Sequence, residues 1–177
     1  MKKLVLGVMM VMAMAAQAQN DAIAKFFSKY QNDESFSQVN VSGKMFSMMA
    51  NLDSDKPEDK ALFTAISKIK GLKILSKSET RNSRDLYKEA MAMIPTNDFE
   101  ELMTIRDKDK DMRFFTKESG GKISELVMVM AGNEEFVLMT LFGEIDLKEM
   151  SKIGRAVNID GLNNLEKIKD KDKNKKK

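Results

Sequence analysis

The sequence predicts an α+β fold: an antiparallel sheet of about four to five strands, mostly in the C-terminal half, packed with several helices. Two observations predict it. In the first half apolar residues recur at helical spacing, and in the second half they gather into short runs parted by glycine turns. No internal repeat is present, and helices followed by strands imply one antiparallel sheet backed by helices.

Ile23, Phe26, Phe27 and Tyr30 share one face of a helix over residues 21–30. Val39 and Val41 mark a short extended stretch. Residues 43–52 are helical, with Met45, Met48, Met49 and Leu52 on one face. Asp53-Ser54-Asp55 breaks that pattern, and Pro57 opens the next helix in the first-turn position it tolerates. That helix carries Leu62, Ala65, Ile66 and Ile69, with Gly71 as its stop. Leu72–Leu75 is a short strand. Leu86, Tyr87, Ala90, Met91 and Ile94 place a helix over residues 82–94, which Pro95 ends.

Residues 99–106 suit either helix or strand. Two strands, over residues 112–117 and 122–130, flank Ser119-Gly120-Gly121, a hairpin turn. Another turn at Gly132-Asn133 leads to a strand over 136–142. Leu126–Met130 and Phe136–Leu141 are apolar nearly throughout, with Thr140 the interruption, so these strands are expected to be covered on both faces. Asp146 and Glu149 form a capping-box-like pair for a last helix. Methionines on apolar faces either fill irregular core space or form adaptable binding surfaces.

The N-terminus has the three parts of a secretory signal in order: Lys2 and Lys3, an apolar run from Leu4 to Ala16, then Ala16-Gln17-Ala18 for cleavage. The run has 13 residues, short of the roughly 20 that span a membrane. Cleavage is expected after Ala18, leaving one α+β domain over residues 19–160 and a lysine-rich, partly disordered tail over 161–177. The expected location is periplasmic or secreted, with no transmembrane anchor in the mature form. The chain has no cysteine, which removes disulfides and lipid attachment.

The formal charge is +3 for the whole chain. The last nine residues, Lys169–Lys177, contribute six Lys and two Asp, so basicity belongs to the tail rather than the domain. That argues against a nucleic-acid partner. The tail is suited either to an anionic surface or simply to staying solvated.

With no histidine and no cysteine, Ser-His-Asp and Cys-His catalysis and the usual zinc, copper and haem ligand sets are excluded. Neither nucleotide-binding glycine fingerprint is present, and no cofactor is expected. Asp107, Asp109, Asp111 and Glu118 stand at positions 1, 3, 5 and 12 of a calcium-loop pattern. Met112 occupies the position where such a loop needs glycine, and Lys108 and Lys110 lie between the acids. A solvated turn is the favoured reading and a cation site the alternative. Ser42-Gly43-Lys44, Ser67-Lys68 and Ser76-Lys77 lack the S-x-x-K spacing of serine–lysine enzymes.

Five segments in order carry a resemblance: Phe36–Phe46 (FSQVNVSGKMF), Ile69–Leu75 (IKGLKIL), Phe99–Met103 (FEELM), Gly121–Val127 (GKISELV) and Phe136–Leu147 (FVLMTLFGEIDL). Together they resemble the Bacteroidetes envelope family known as domain of unknown function 4252, over roughly residues 22–153. The resemblance implies neither a reaction nor catalytic residues. Many members look like lipoproteins, whereas this chain lacks the cysteine a lipid tether requires.

The leading functional expectation is a non-catalytic exported module that binds a protein in the cell envelope. Phe114 and Phe115 are the candidate binding residues, because adjacent strand residues point to opposite faces and both are buried only if both faces are covered. The alternatives are a carboxylate-based or calcium-assisted hydrolase using Asp107, Asp109, Asp111 or Glu118, and an envelope sensor or regulator presenting its domain to a membrane protein.

Overall fold

In the computed structural model, residues 22–51 and 57–147 are described. They hold four helices and one sheet of six antiparallel strands. Helix α1 (Ala22–Tyr30) leads to β1 (Ser37–Ser42), α2 (Gly43–Ala50) and α3 (Pro57–Ser67). Then come β2 (Ile69–Lys77), α4 (Ser83–Met93), β3 (Glu100–Arg106), β4 (Lys110–Ser119), β5 (Lys122–Gly132) and β6 (Phe136–Ile145). The strand order is β1-β2-β6-β5-β4-β3. The α+β class is as expected, with one difference: there are six strands rather than four to five. The signal segment, Leu52, the Asp146–Glu149 helix cap and the lysine tail lie wholly or partly outside the described residues.

The near-continuous apolar runs occupy the middle of the sheet, β5 beside β6, where both faces are covered. On one face, α1 and α4 lay Ile23, Phe26, Phe27, Leu86 and Ala90 over Leu75, Phe115, Val127, Val129, Phe136 and Leu138. Phe26 stacks tilted on Phe136 at 5.8 Å, and Tyr30 on Phe36 at 4.5 Å. Ser83 fastens the start of α4 to the β5–β6 turn by donating to the Gly132 carbonyl at 2.8 Å. The opposite face is built from Ile69, Met112, Phe114, Leu126, Met128, Met139 and Leu141. Phe46 of α2 and Leu147 pack against it. These core methionines take the gap-filling role.

The expected stop of α3 at Gly71 is corrected. The helix ends at Ser67, Lys68 forms a one-residue turn, and Ile69 already starts β2. Strand pairing on both sides of residues 69–77, with β1 and with β6, outweighs the helical spacing that reaches Ile69. Gly71 instead follows a β-bulge at Lys70, where β2 slips past β6. Gly143 faces this bulge at φ +133, and Gly43 touches it from the start of α2. The bulge is thus clasped between two glycines, and α2 is seated on the sheet through it. Gly120 and Gly121, at φ +60 and +74, make the two-residue β4–β5 turn the sequence predicts. Within residues 99–106, Glu100–Arg106 form a strand.

Candidate functional site

Phe114 and Phe115 do not form a binding site. Phe114 is fully buried in the face bearing the methionines, and Phe115 is 7% exposed under the helical layer. They point to opposite faces, as strand geometry requires, but both faces are covered, so neither ring is presented to a partner.

The four acids do not converge either. Asp107 caps its own turn: its carboxylate accepts the Lys108 N–H at 2.7 Å, and its N–H donates to the Lys110 carbonyl at 2.9 Å. Asp109 accepts from the Asn133 amide at 3.2 Å. Asp111 sits between two guanidiniums, paired with Arg84 and, at 2.9 Å, with Arg106. Burial works to raise its pKa, but the hydrogen bonds and charges of Arg106 and Arg84 outweigh this and hold the carboxyl below its usual value. Glu118 lies at the far end of β4, seven residues from Asp111, or roughly 23 Å at strand rise. A calcium loop needs those residues in a turn, and here a strand begins at Lys110. Among the described residues no three acidic side chains gather for a metal. Asp107 and Asp109 lie in the turn between β3 and β4, whereas Asp111 lies in β4 itself.

Two other features stand out. The first is a cleft of about 40 Å³ between the start of α1, the Pro95–Phe99 loop and the sheet. That is room for one or two water-sized molecules. Its polar floor is Glu125, which accepts from the Thr140 hydroxyl at 2.8 Å. Burial pushes the Glu125 carboxyl up, against the opposing pull of Thr140 and the Lys117 charge. Lys117 in turn pairs with Asp98 at 3.1 Å. The sequence carried one signal of it: Thr140 is the polar break in the apolar run of β6, and Glu125 adjoins the corresponding run of β5.

The second feature is a ridge. Val39, Met45, Met48 and Met49 are 47%, 51%, 57% and 39% exposed, and they are the exposed large apolar side chains among the described residues. All lie within eleven residues of chain, on β1 and α2. Gly43 lets α2 start directly from β1, because a Cβ there would lie 2.9 Å from the Lys70 carbonyl. The helix then turns Phe46 toward the sheet and leaves the three methionines outward. The sequence grouped these methionines on one face but did not show which way that face turned.

The two edges of the sheet differ. Edge strand β3 carries Glu100, Glu101 and Arg106 and a bulge between Glu101 and Met103. These are protections that discourage pairing with another chain. Edge strand β1, SQVNVS, has no charge, no proline and an unbroken register with β2.

Residues 30–153 match the family described as domain of unknown function (DUF4252). The chain belongs to this family. No curated protein and no solved structure matches it. Among the described residues of this DUF4252 chain, no helix is long and apolar enough to cross a membrane.

Proposed function

We propose that this DUF4252 chain is a non-catalytic binding module of the Bacteroidetes cell envelope, exported and released near Ala18, and that a protein partner docks on the ridge of Val39, Met45, Met48 and Met49. One observation carries the reading: the exposed large apolar side chains cluster beside the unguarded edge of the sheet, rather than being scattered singly over the surface. Methionine suits such a surface because its flexible thioether adapts to a partner's shape. Export rests on the tripartite N-terminal segment, and the envelope on the five resembling segments. Asp107, Asp109, Asp111 and Glu118, the acids on which the hydrolase alternative draws, stand apart among the described residues.

The chain has no cysteine, so one introduced thiol is the only one in the molecule. A photo-crosslinker on Met48→Cys should give a discrete adduct of one protein in envelope extracts, identified by mass spectrometry. The same label on Lys88→Cys, on the exposed side of α4, should not. Equal adducts from both positions, or none from Met48→Cys, would overturn the reading.

A further inference from the structure

We propose that the partner presents an extended segment that adds to the free edge of β1, with apolar side chains toward α2 and acidic side chains toward the opposite face. This rests on the docking surface above and names what fits it.

Among the described residues β1 pairs with β2 alone. Its outer row of backbone N–H and C=O groups is therefore a template for one more strand. The register fixes what each face of that strand would meet. Val39 stands opposite Ile74 and Val41 opposite Leu72, on the face where Phe46 of α2 packs. An added strand would bring every second side chain beside Val39 and the methionines. The other side chains would lie with Gln38 and Asn40, and Asn40 stands opposite Lys73.

Charge selects the partner on that second face. On that face β2 carries Lys73 and Lys77, and the segments 37–51 and 69–77 contain no acidic residue. Lys73 and Lys77 lie over the Phe27 and Phe36 rings, at 6.0 and 5.0 Å. Their side chains are therefore held on the face away from α2. Asp33 contributes one opposing charge near Lys77. An added strand lies about 10 Å from β2, a gap that a lysine and a glutamate reaching toward each other can span. A second copy of this chain is the poorer fit, because its β1, SQVNVS, brings no acidic side chain to meet Lys73 and Lys77. Like charges brought together across an interface disfavour a partner, and opposite charges select it.

The test uses the chain beginning at Gln19, isotopically labelled, and three synthetic decapeptides: Val alternating with Glu, Val alternating with Lys, and the first with a central proline. The Val/Glu peptide should saturate amide shifts over Ser37–Ser42 and methyl shifts of Met45, Met48 and Met49. The Val/Lys peptide should bind at least about tenfold more weakly, and the proline peptide should not add to the edge. Val39→Asp, at a half-exposed site, should weaken Val/Glu binding by a similar factor. Met48→Glu serves as the second variant should Val39→Asp disturb the strand. Equal binding of the Val/Glu and Val/Lys peptides would overturn the proposal, as would shifts centred on β3. Absence of binding by the Val/Glu peptide would do the same, as would a dimer abolished by Val39→Asp. If no peptide binds but Met48→Cys still captures its partner, the strand proposal fails and the docking surface stands. If neither occurs, both fail.

Discussion

Replacing Gly143 by alanine perturbs the point on which the seating of α2 depends. A Cβ at residue 143 would collide with the Lys68 carbonyl oxygen and lie 2.8 Å from the Ile69 Cα and 2.9 Å from the Lys70 nitrogen. All three are backbone atoms, so no side chain can swing aside. Holding alanine at φ +133 costs about 1–3 kcal/mol. Parting β2 from β6 also breaks the Glu144 N–H bond to the Lys68 carbonyl, 3.2 Å long, worth about 1 kcal/mol. Loosening Ile69, 3% exposed, adds about 1 kcal/mol. The sum, about 3–5 kcal/mol, is a large share of the roughly 5–15 kcal/mol that holds a domain folded. Urea unfolding measures it directly, and the melting temperature should drop by roughly 6–20 °C. Gly120→Ala is the control: its φ is +60 but nothing lies within 4 Å of the added Cβ, so only the backbone cost of about 1 kcal/mol applies. If Gly143→Ala costs no more than Gly120→Ala, the glycine-clasped bulge is wrong.

Glu125→Gln should stabilise the protein at pH 7, because burial raises the carboxyl's pKa and charging it opposes folding. The raised folded value means wild-type stability falls as pH rises from the ordinary carboxyl range through that value. The advantage of the glutamine should therefore fade on acidification, as seen in urea unfolding at stepped pH. Glu144 behaves oppositely. Hydrogen bonds from Lys122 and Lys68 pull its pKa down to about 2. Its contribution is full above the ordinary value of 4.5 and is lost as pH falls toward 2. Glu144→Gln should flatten that acid limb, and salt should mimic part of the effect, since both lysines are solvent-accessible. Phe114→Ala and Phe115→Ala should each destabilise by about 3–5 kcal/mol, as buried rings do. A cost near zero for either would restore its candidacy as a surface contact.

The sequence made some elements legible because a single physical signal dominated them. Helix α4 lies between an apolar stripe and Pro95, and the β4–β5 hairpin follows from Gly120-Gly121. Strands β5 and β6 read as central because their apolar runs are almost unbroken. Where two signals overlapped, the sequence could not arbitrate. The stripe of α3 runs smoothly onto Ile69, and the pairing of β2 with β1 and β6, a long-range event, decides where the helix stops. Strand β1 carries only Val39 and Val41 as apolar signal, which is why it reads as a short extended stretch rather than an edge of the sheet. The site was the least legible part. Phe114 and Phe115 gave the right strand geometry, but their burial depends on which elements return over each face. The Asp107–Glu118 spacing matched a metal loop in number while β4 pulled its last member away. Met45, Met48 and Met49 were visible as one apolar face, and their exposure depends on Gly43 and the Lys70 bulge turning α2. Those contacts are distant in sequence and carry no local mark.

The methionine methyl spectrum tests the central claim most directly. With labelled methionine methyls and a soluble paramagnetic probe, Met45, Met48 and Met49 should be strongly relaxed, while Met112, Met128 and Met139, all at most 4% exposed, should be shielded. On addition of envelope extract, the three ridge resonances alone should broaden or shift. Shielded ridge methyls, or a partner that leaves them unchanged, would contradict the assignment of β1 and α2 as the binding surface.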